Sequence, residues 1–110
     1  MVSQVSTLGR LDVLVNNAGA GSRRVDIHPA DAPGARWDKI RGSNLDSTYF
    51  VSSYAMPLMK KSGGGAIVNI SSTASIHGNW GLYCVAKAAV EALTRRWRLK
   101  VRHTAFAPIV

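Results

Sequence analysis

The chain has 110 residues and a formal net charge of +8, with 14 Lys and Arg against 6 Asp and Glu. Hydrophobic residues make up 46% and charged residues 18%, which excludes an intrinsically disordered chain and fits one ordinary globular domain with a modest core. A single cysteine excludes an intrachain disulfide framework, and no apolar run is long enough to span a bilayer, so a cytoplasmic protein without membrane contact is expected.

The opening "MVSQVSTLGR" lacks the basic and apolar regions of a secretory signal. In "RLDVLVNNAG" the run Leu11, Val13, Leu14, Val15 is short, β-branched and closed by two Asn and a Gly, and this predicts a buried strand. "GAGSRRVDIHPADAPG" is a Gly/Pro-rich loop. From Ala35 to about Lys61, apolar residues recur at three- and four-residue steps, predicting a long amphipathic helix with a kink before Pro57. "SGGG" at 62 to 65 is a helix stop, "AIVNIS" a second buried strand, and "STASIHGN" a polar loop. A second helix is expected from about Asn79 to Arg98, with Tyr83, Ala86, Val90 and Leu93 along one side. "VRHTAFAP" reads as a third, shorter strand. The order β, α, β, α, β implies an α/β fold with parallel strands and crossover helices in a single domain. Ligands of such sheets bind outside the carboxyl ends of the strands, which is where "NNAG" and "SSTAS" fall.

Tyr83 and Lys87 stand four residues apart, on one face of the second helix. A tyrosine with its ordinary pKa of about 10 is a poor base at neutral pH, and a neighbouring ammonium favours its phenolate. The bland alternative is a tyrosine packed on a lysine stem, and Y-x-x-x-K alone arises often by chance. Ser71 and Ser72 at the end of the second strand could donate to a substrate oxygen, or merely terminate the strand. Asn44 is a mediocre helix former inside a helix, and by itself reads as a solvent-facing or interface residue.

Taken together, "LDVLVNNAG", "NLDSTYF", "GGGAIVNISSTAS" and "YCVAKAAVEALTR" resemble the short-chain dehydrogenase/reductase (SDR) family, over a span from about Leu8 to Val110. The resemblance implies a Rossmann-like, doubly wound parallel sheet, here of about three strands with two long helices. It implies an NAD- or NADP-dependent oxidoreductase interconverting an alcohol and a carbonyl by hydride transfer. By position it assigns Asn44, Ser72, Tyr83 and Lys87 to a catalytic tetrad. Tyr83 would be the general acid/base, Ser72 would orient the substrate oxygen, Lys87 would support the tyrosine and the nicotinamide ribose, and Asn44 would hold a relay water. Asn16, Asn17, Ala18 and Gly19 match the family's N-N-A-G element bordering the cofactor, with Tyr83, Lys87 and Pro108 also at the cofactor. The helices bearing Asn44 and Tyr83 form subunit contacts in many relatives, implying a homo-oligomer.

The sequence departs from that pattern in several places. The Gly-rich turn that receives the pyrophosphate has no counterpart, because "AGAGSRR" has Arg24 where G-x-G-x-x-G needs its third Gly. The expectation is a partial domain over residues 1 to 110, truncated at both ends and lacking the Gly-rich dinucleotide-binding half, with the strand ending at Asn16 left as an apolar edge. Ser72 and Tyr83 are eleven positions apart, tighter than the family usually shows, and Pro108 precedes Ile109 where Gly is usual. An inactive remnant serving as an interaction module is therefore the alternative. A third reading, nucleic-acid binding through "RRWRLKVRH" at 95 to 103, has no accompanying motif, and cations in the last turns of a helix explain the cluster more simply. Cys84 is expected to be a small buried interface residue, and the spacing of His28, His77, His103 and Cys84 predicts no metal site.

Overall fold

In a computed structural model, residues 2–21, 33–78, 80–100 and 104–109 are described, with side chains for 4–21, 33–78 and 80–98. The elements in chain order are α1 (Val2–Ser6), β1 (Val13–Asn16), α2 (Pro33–Arg41), a π-helical segment (Gly42–Asp46), α3 (Ser47–Lys61), β2 (Gly65–Ile70), α4 (Ala74–His77), α5 (Leu82–Lys100) and β3 (Thr104–Ile109). The strands form one sheet in the order β1-β2-β3, all parallel, with Asn16 opposite Asn69 and Asn69 opposite Pro108. The α/β fold with a parallel sheet and long crossover helices is thus as the sequence implies.

Alternation along β2 decides how the layers meet. Ile67 and Asn69 are fully buried, whereas Ala66, Val68 and Ile70 are half-buried. Ile67 packs with Ala55 and Met59 of α3, and Leu14, Met56 and Trp97 of α5 close around that cluster. Both long helices therefore cover the face that carries Leu14 and Ile67. Right-handed crossovers between strands laid down in one direction require this one-sided arrangement. On the opposite face Val13 and Val15 remain 56% and 55% exposed.

Two elements differ from the sequence-based expectation. The first long helix runs through Pro57, which faces solvent, where water can take the Ser53 carbonyl that loses its N–H donor. Its irregularity lies instead at Gly42–Asp46, where the Ser47 N–H bonds back to the Gly42 carbonyl, five residues earlier. The polar loop "STASIHGN" contains the short helix α4, ended by Gly78 in the left-handed region at φ 65°. Gly63 and Gly64, at φ 92° and 111°, form the turn from α3 into β2.

Candidate active site

The carboxyl ends of β1 and β2 are tied to both helices by a chain of side-chain hydrogen bonds. Asn16 on β1 donates through Nδ2 to Ser52 Oγ of α3 at 2.8 Å and to Asn69 Oδ1 of β2 at 2.7 Å. Asn69 donates onward to Thr94 Oγ1 of α5 at 2.9 Å, and Thr94 donates to the Val90 carbonyl at 2.7 Å. Ser52, Asn69 and Thr94 are all buried, so each polar atom needs such a partner. Asn16 was legible as part of N-N-A-G. The signals for the other three were weaker: an Asn inside the apolar run "AIVNIS", and hydroxyls at core-facing helical positions.

Above this base, the loop leaving β1 brings Gly19 against two of the expected site residues. A Cβ added to Gly19 would stand 2.7 Å from Asn44 Oδ1 and 3.3 Å from Lys87 Nζ. Asn44 is fully buried, not solvent-facing, and lies in the π-helical segment between buried Ile40 and Thr48. Its Nδ2 donates to the Ala20 carbonyl at 2.6 Å and to the Ile40 carbonyl at 2.9 Å, the oxygen that α-helical geometry would give to the Asn44 backbone N–H. Its Oδ1 is buried and has no hydrogen-bond partner among the described residues. Lys87 is 4% exposed and donates from Nζ to the Ile70 carbonyl at 3.0 Å, at the very end of β2. Burial pushes its ammonium below the ordinary lysine value.

Tyr83 lies one turn before Lys87 on α5, with the ammonium 5.6 Å from its ring centroid. The backbone of Gly21 rests on that ring so closely that a Cβ there would overlap it. The loop of residues 17 to 21 thus touches Asn44, Lys87 and Tyr83 together, while Asn17 and Ala18 themselves are exposed. Ser72 follows β2, half-buried, and its Oγ accepts a hydrogen bond from the Ala74 N–H at 3.1 Å. Pro108 takes its place in β3 through its backbone pairing with Asn69, and its side chain lies outside the described residues.

A second polar cluster, unforeseen from the sequence, lies next to Ser72. Glu91 Oε1 accepts from Ser71 Oγ and from Ser75 Oγ, both at 2.5 Å, and these two bonds hold its carboxyl below the usual range. Cys84 is half-buried rather than a core residue, with its thiol donating to the Gly81 carbonyl at 2.9 Å. His28 and His103 lie outside the described residues, and His77 is exposed. Among the described residues no group of three His, Cys, Asp or Glu could hold a metal ion. No helix there is long and apolar enough to cross a membrane.

This geometry joins the N-N-A-G loop, the Asn-bearing helix and the Tyr/Lys helix at one sheet end. The family model described as short chain dehydrogenase matches residues 1–107. The chain belongs to the short-chain dehydrogenase family. It is 39% identical over 106 residues to a meso-2,3-butanediol dehydrogenase of Serratia marcescens, covering 90% of this chain and 39% of that relative. It is 42% identical over 90 residues to a D-xylose 1-dehydrogenase of Caulobacter vibrioides, covering 80% of this chain and 35% of that relative. A solved 7α-hydroxysteroid dehydrogenase, complexed with NADH and 7-oxo glycochenodeoxycholic acid, superimposes with a TM-score of 0.78 at 33% identity, covering 93% of this chain and 40% of that one. The SDR chain spans less than half the length of these relatives, and the solved one shares its Rossmann-type architecture.

Proposed function

We propose that this SDR chain carries the proton-handling half of an NAD- or NADP-dependent oxidoreductase that interconverts an alcohol and a carbonyl. The observation that carries the reading is the convergence of Gly19, Asn44 and Lys87, with the buried, unpartnered Asn44 Oδ1 between them. A buried amide oxygen without a donor loses the interactions it had in water, so a water molecule or ligand hydroxyl is needed there. The close approach also fits a sugar edge, because Gly19 leaves open the space beside Lys87 Nζ that any side chain would fill.

In this reading a bound nicotinamide supplies the hydride acceptor or donor, and the chain supplies the proton and the positioning. Tyr83 gives its proton to, or takes one from, the substrate oxygen. Lys87, 5.6 Å from the ring centroid, places positive charge over the phenol ring that turns anionic when the proton leaves. With one Nζ–H held by the Ile70 carbonyl, the ammonium has two more donors, for the ribose and for the relay water at Asn44 Oδ1. Ser72 donates to the substrate oxygen while accepting from the Ala74 N–H, which fixes its Oγ. Asn16, Asn17, Ala18 and Gly19 form the wall on the cofactor side, with Pro108 at the neighbouring strand. Nothing among the described residues resembles a phosphate cradle, and NAD is not distinguished from NADP.

A second reading, a non-catalytic module that docks on another chain, is favoured by the exposed apolar surface. Val13 and Val15 on β1, and Tyr49, Phe50 and Tyr54 on α3, are between 46% and 65% exposed. The same α3 face borders a groove lined by Leu45, Tyr49, Ala89 and Leu93, and this is the surface through which a homo-oligomer would form.

Titration of the purified full chain with NADH and with NADPH, followed by nicotinamide fluorescence, separates the two readings. The proposal expects saturable binding of at least one cofactor that Lys87→Met weakens. Tyr83→Phe should preserve that binding and abolish turnover. Absence of binding to both cofactors would refute the chain as a self-sufficient oxidoreductase and leave the docking module.

A further inference from the structure

We infer that Glu91 is a positioning residue that locks the Ser72 segment onto the helix carrying Tyr83 and Lys87. The inference rests on the proposed role of Ser72 but stands on a separate set of contacts. Glu91 is one turn beyond Lys87 on α5, so the two side chains rise from the same face of the helix. Lys87 Nζ holds the Ile70 carbonyl, and Glu91 Oε1 holds the hydroxyls of Ser71 and Ser75. Neighbouring residues on one helix thus grip the chain immediately before Ser72 and three residues after it.

Between those anchors the backbone has little freedom. The Ser75 N–H donates to the Ser72 carbonyl at 3.0 Å, and the Ala74 N–H reaches Ser72 Oγ. A rotation of Ser72 would break these bonds and pull Ser71 and Ser75 from the carboxylate. The two hydroxyl-to-carboxylate bonds are of the charge-assisted type, stronger than the neutral bonds that ordinarily end a strand. Ser71 is 7% exposed, and Glu91 keeps a side-chain exposure of only 23%, so water competes poorly at the clamp. Arg95 stands 4.0 Å from the other carboxylate oxygen and leaves Oε1 free for the serines. The tight spacing between Ser72 and Tyr83 gives this clamp its consequence, because a shortened connection transmits any loosening of the 71–75 segment directly to the start of α5.

The test compares the full chain with Glu91→Gln and Glu91→Ala. Glutamine keeps an oxygen that accepts both hydroxyl protons, whereas alanine removes the acceptor. Hydrogen–deuterium exchange across residues 71 to 78 and the 15N shift of the Ala74 amide report the segment, and exchange in β1 and β2 reports the rest of the sheet. Loss of the two charged hydrogen bonds predicts exchange faster by roughly tenfold or more in Glu91→Ala, with Glu91→Gln within about threefold of wild type. The Ala74 amide should shift in Glu91→Ala and stay in Glu91→Gln, with β1 and β2 unchanged in both. If Glu91→Ala does not fold, Ser71→Ala combined with Ser75→Ala removes the donors instead, and should loosen the same residues equally. Unchanged protection of residues 71 to 78 in whichever of these variants folds, or equal loosening by Gln and Ala, would overturn the inference. NADH titration of the same samples is read separately: no binding to wild type counts against the proposed function, while exchange alone decides the clamp.

Discussion

Gly19→Ala tests whether the N-N-A-G loop meets Asn44 and Lys87 as closely as described. The added methyl would sit 2.7 Å from Asn44 Oδ1, inside the distance that carbon and oxygen tolerate, and 3.3 Å from Lys87 Nζ. Neither neighbour can yield freely. Asn44 is pinned by its bonds to Ala20 and Ile40, and Lys87 by its bond to Ile70. Moving the loop breaks the Asn44–Ala20 bond, since Ala20 belongs to that loop. The substitution therefore combines overpacking with a lost buried hydrogen bond, at about 1–3 kcal/mol. In a domain of this size that lowers the melting temperature by about 4 °C or more. Gly34→Ala is the control: it lies in α2 with nothing within 4 Å, and alanine there should stabilise by about 0.5–1 kcal/mol. Thermal melts followed by circular dichroism suffice. A Gly19→Ala protein that melts at or above wild type would refute the close approach, and with it the proposed water site at Asn44.

Three further outcomes follow from the same contacts. Lys87 has a depressed folded-state pKa, so its buried charge destabilises the fold fully below that value, and stability recovers as pH rises toward the ordinary lysine value of about 10.4. The urea-unfolding difference between wild type and Lys87→Met should accordingly move in favour of wild type between neutral pH and pH ~10. Glu91 has a depressed carboxyl pKa, so its contribution is fully present above about 4.3 and lost as pH falls through the lower folded value. Glu91→Gln should remove that part of the acid sensitivity in the same assay. Asn69→Leu takes one of two acceptors from the Asn16 amide and the donor from Thr94 Oγ1, and should destabilise by about 1–3 kcal/mol, read as a lower urea midpoint at unchanged slope.

The fold was legible because it rests on local rules. Short β-branched runs stopped by Asn, Gly or Ser became β1 and β2, and three- and four-residue apolar spacing became α3 and α5. Tyr83 and Lys87 were legible for the same reason, since an i, i+4 spacing fixes their relation within one helix. What escaped depends on contacts across elements. The π-helical segment has no sequence marker as plain as Pro57, and Asn44 within it is buried in line with Ile40 and Thr48. Glu91 reads as an ordinary charge on a helix until the turn after β2 brings Ser71 and Ser75 to it.

The same contrast explains why the site can be tight on so small a body. Its polar groups are held less by the apolar core, which is a cluster around Ala55, Met59 and Ile67, than by hydrogen bonds that cross from α3 to β1 to β2 to α5. The outer two links join a strand end to a helix and the middle one joins β1 to β2, so the elements that would move apart on loosening adjoin Asn44, Ser72 and Lys87. Apolar packing alone tolerates small slides between a helix and a sheet, because it is nondirectional. Directional bonds between buried groups do not, since each slide strands a donor or acceptor. Loss of a single link at Asn69 should therefore disturb Gly19 and Lys87 at the sheet end more than an equal loss of apolar volume at Met59.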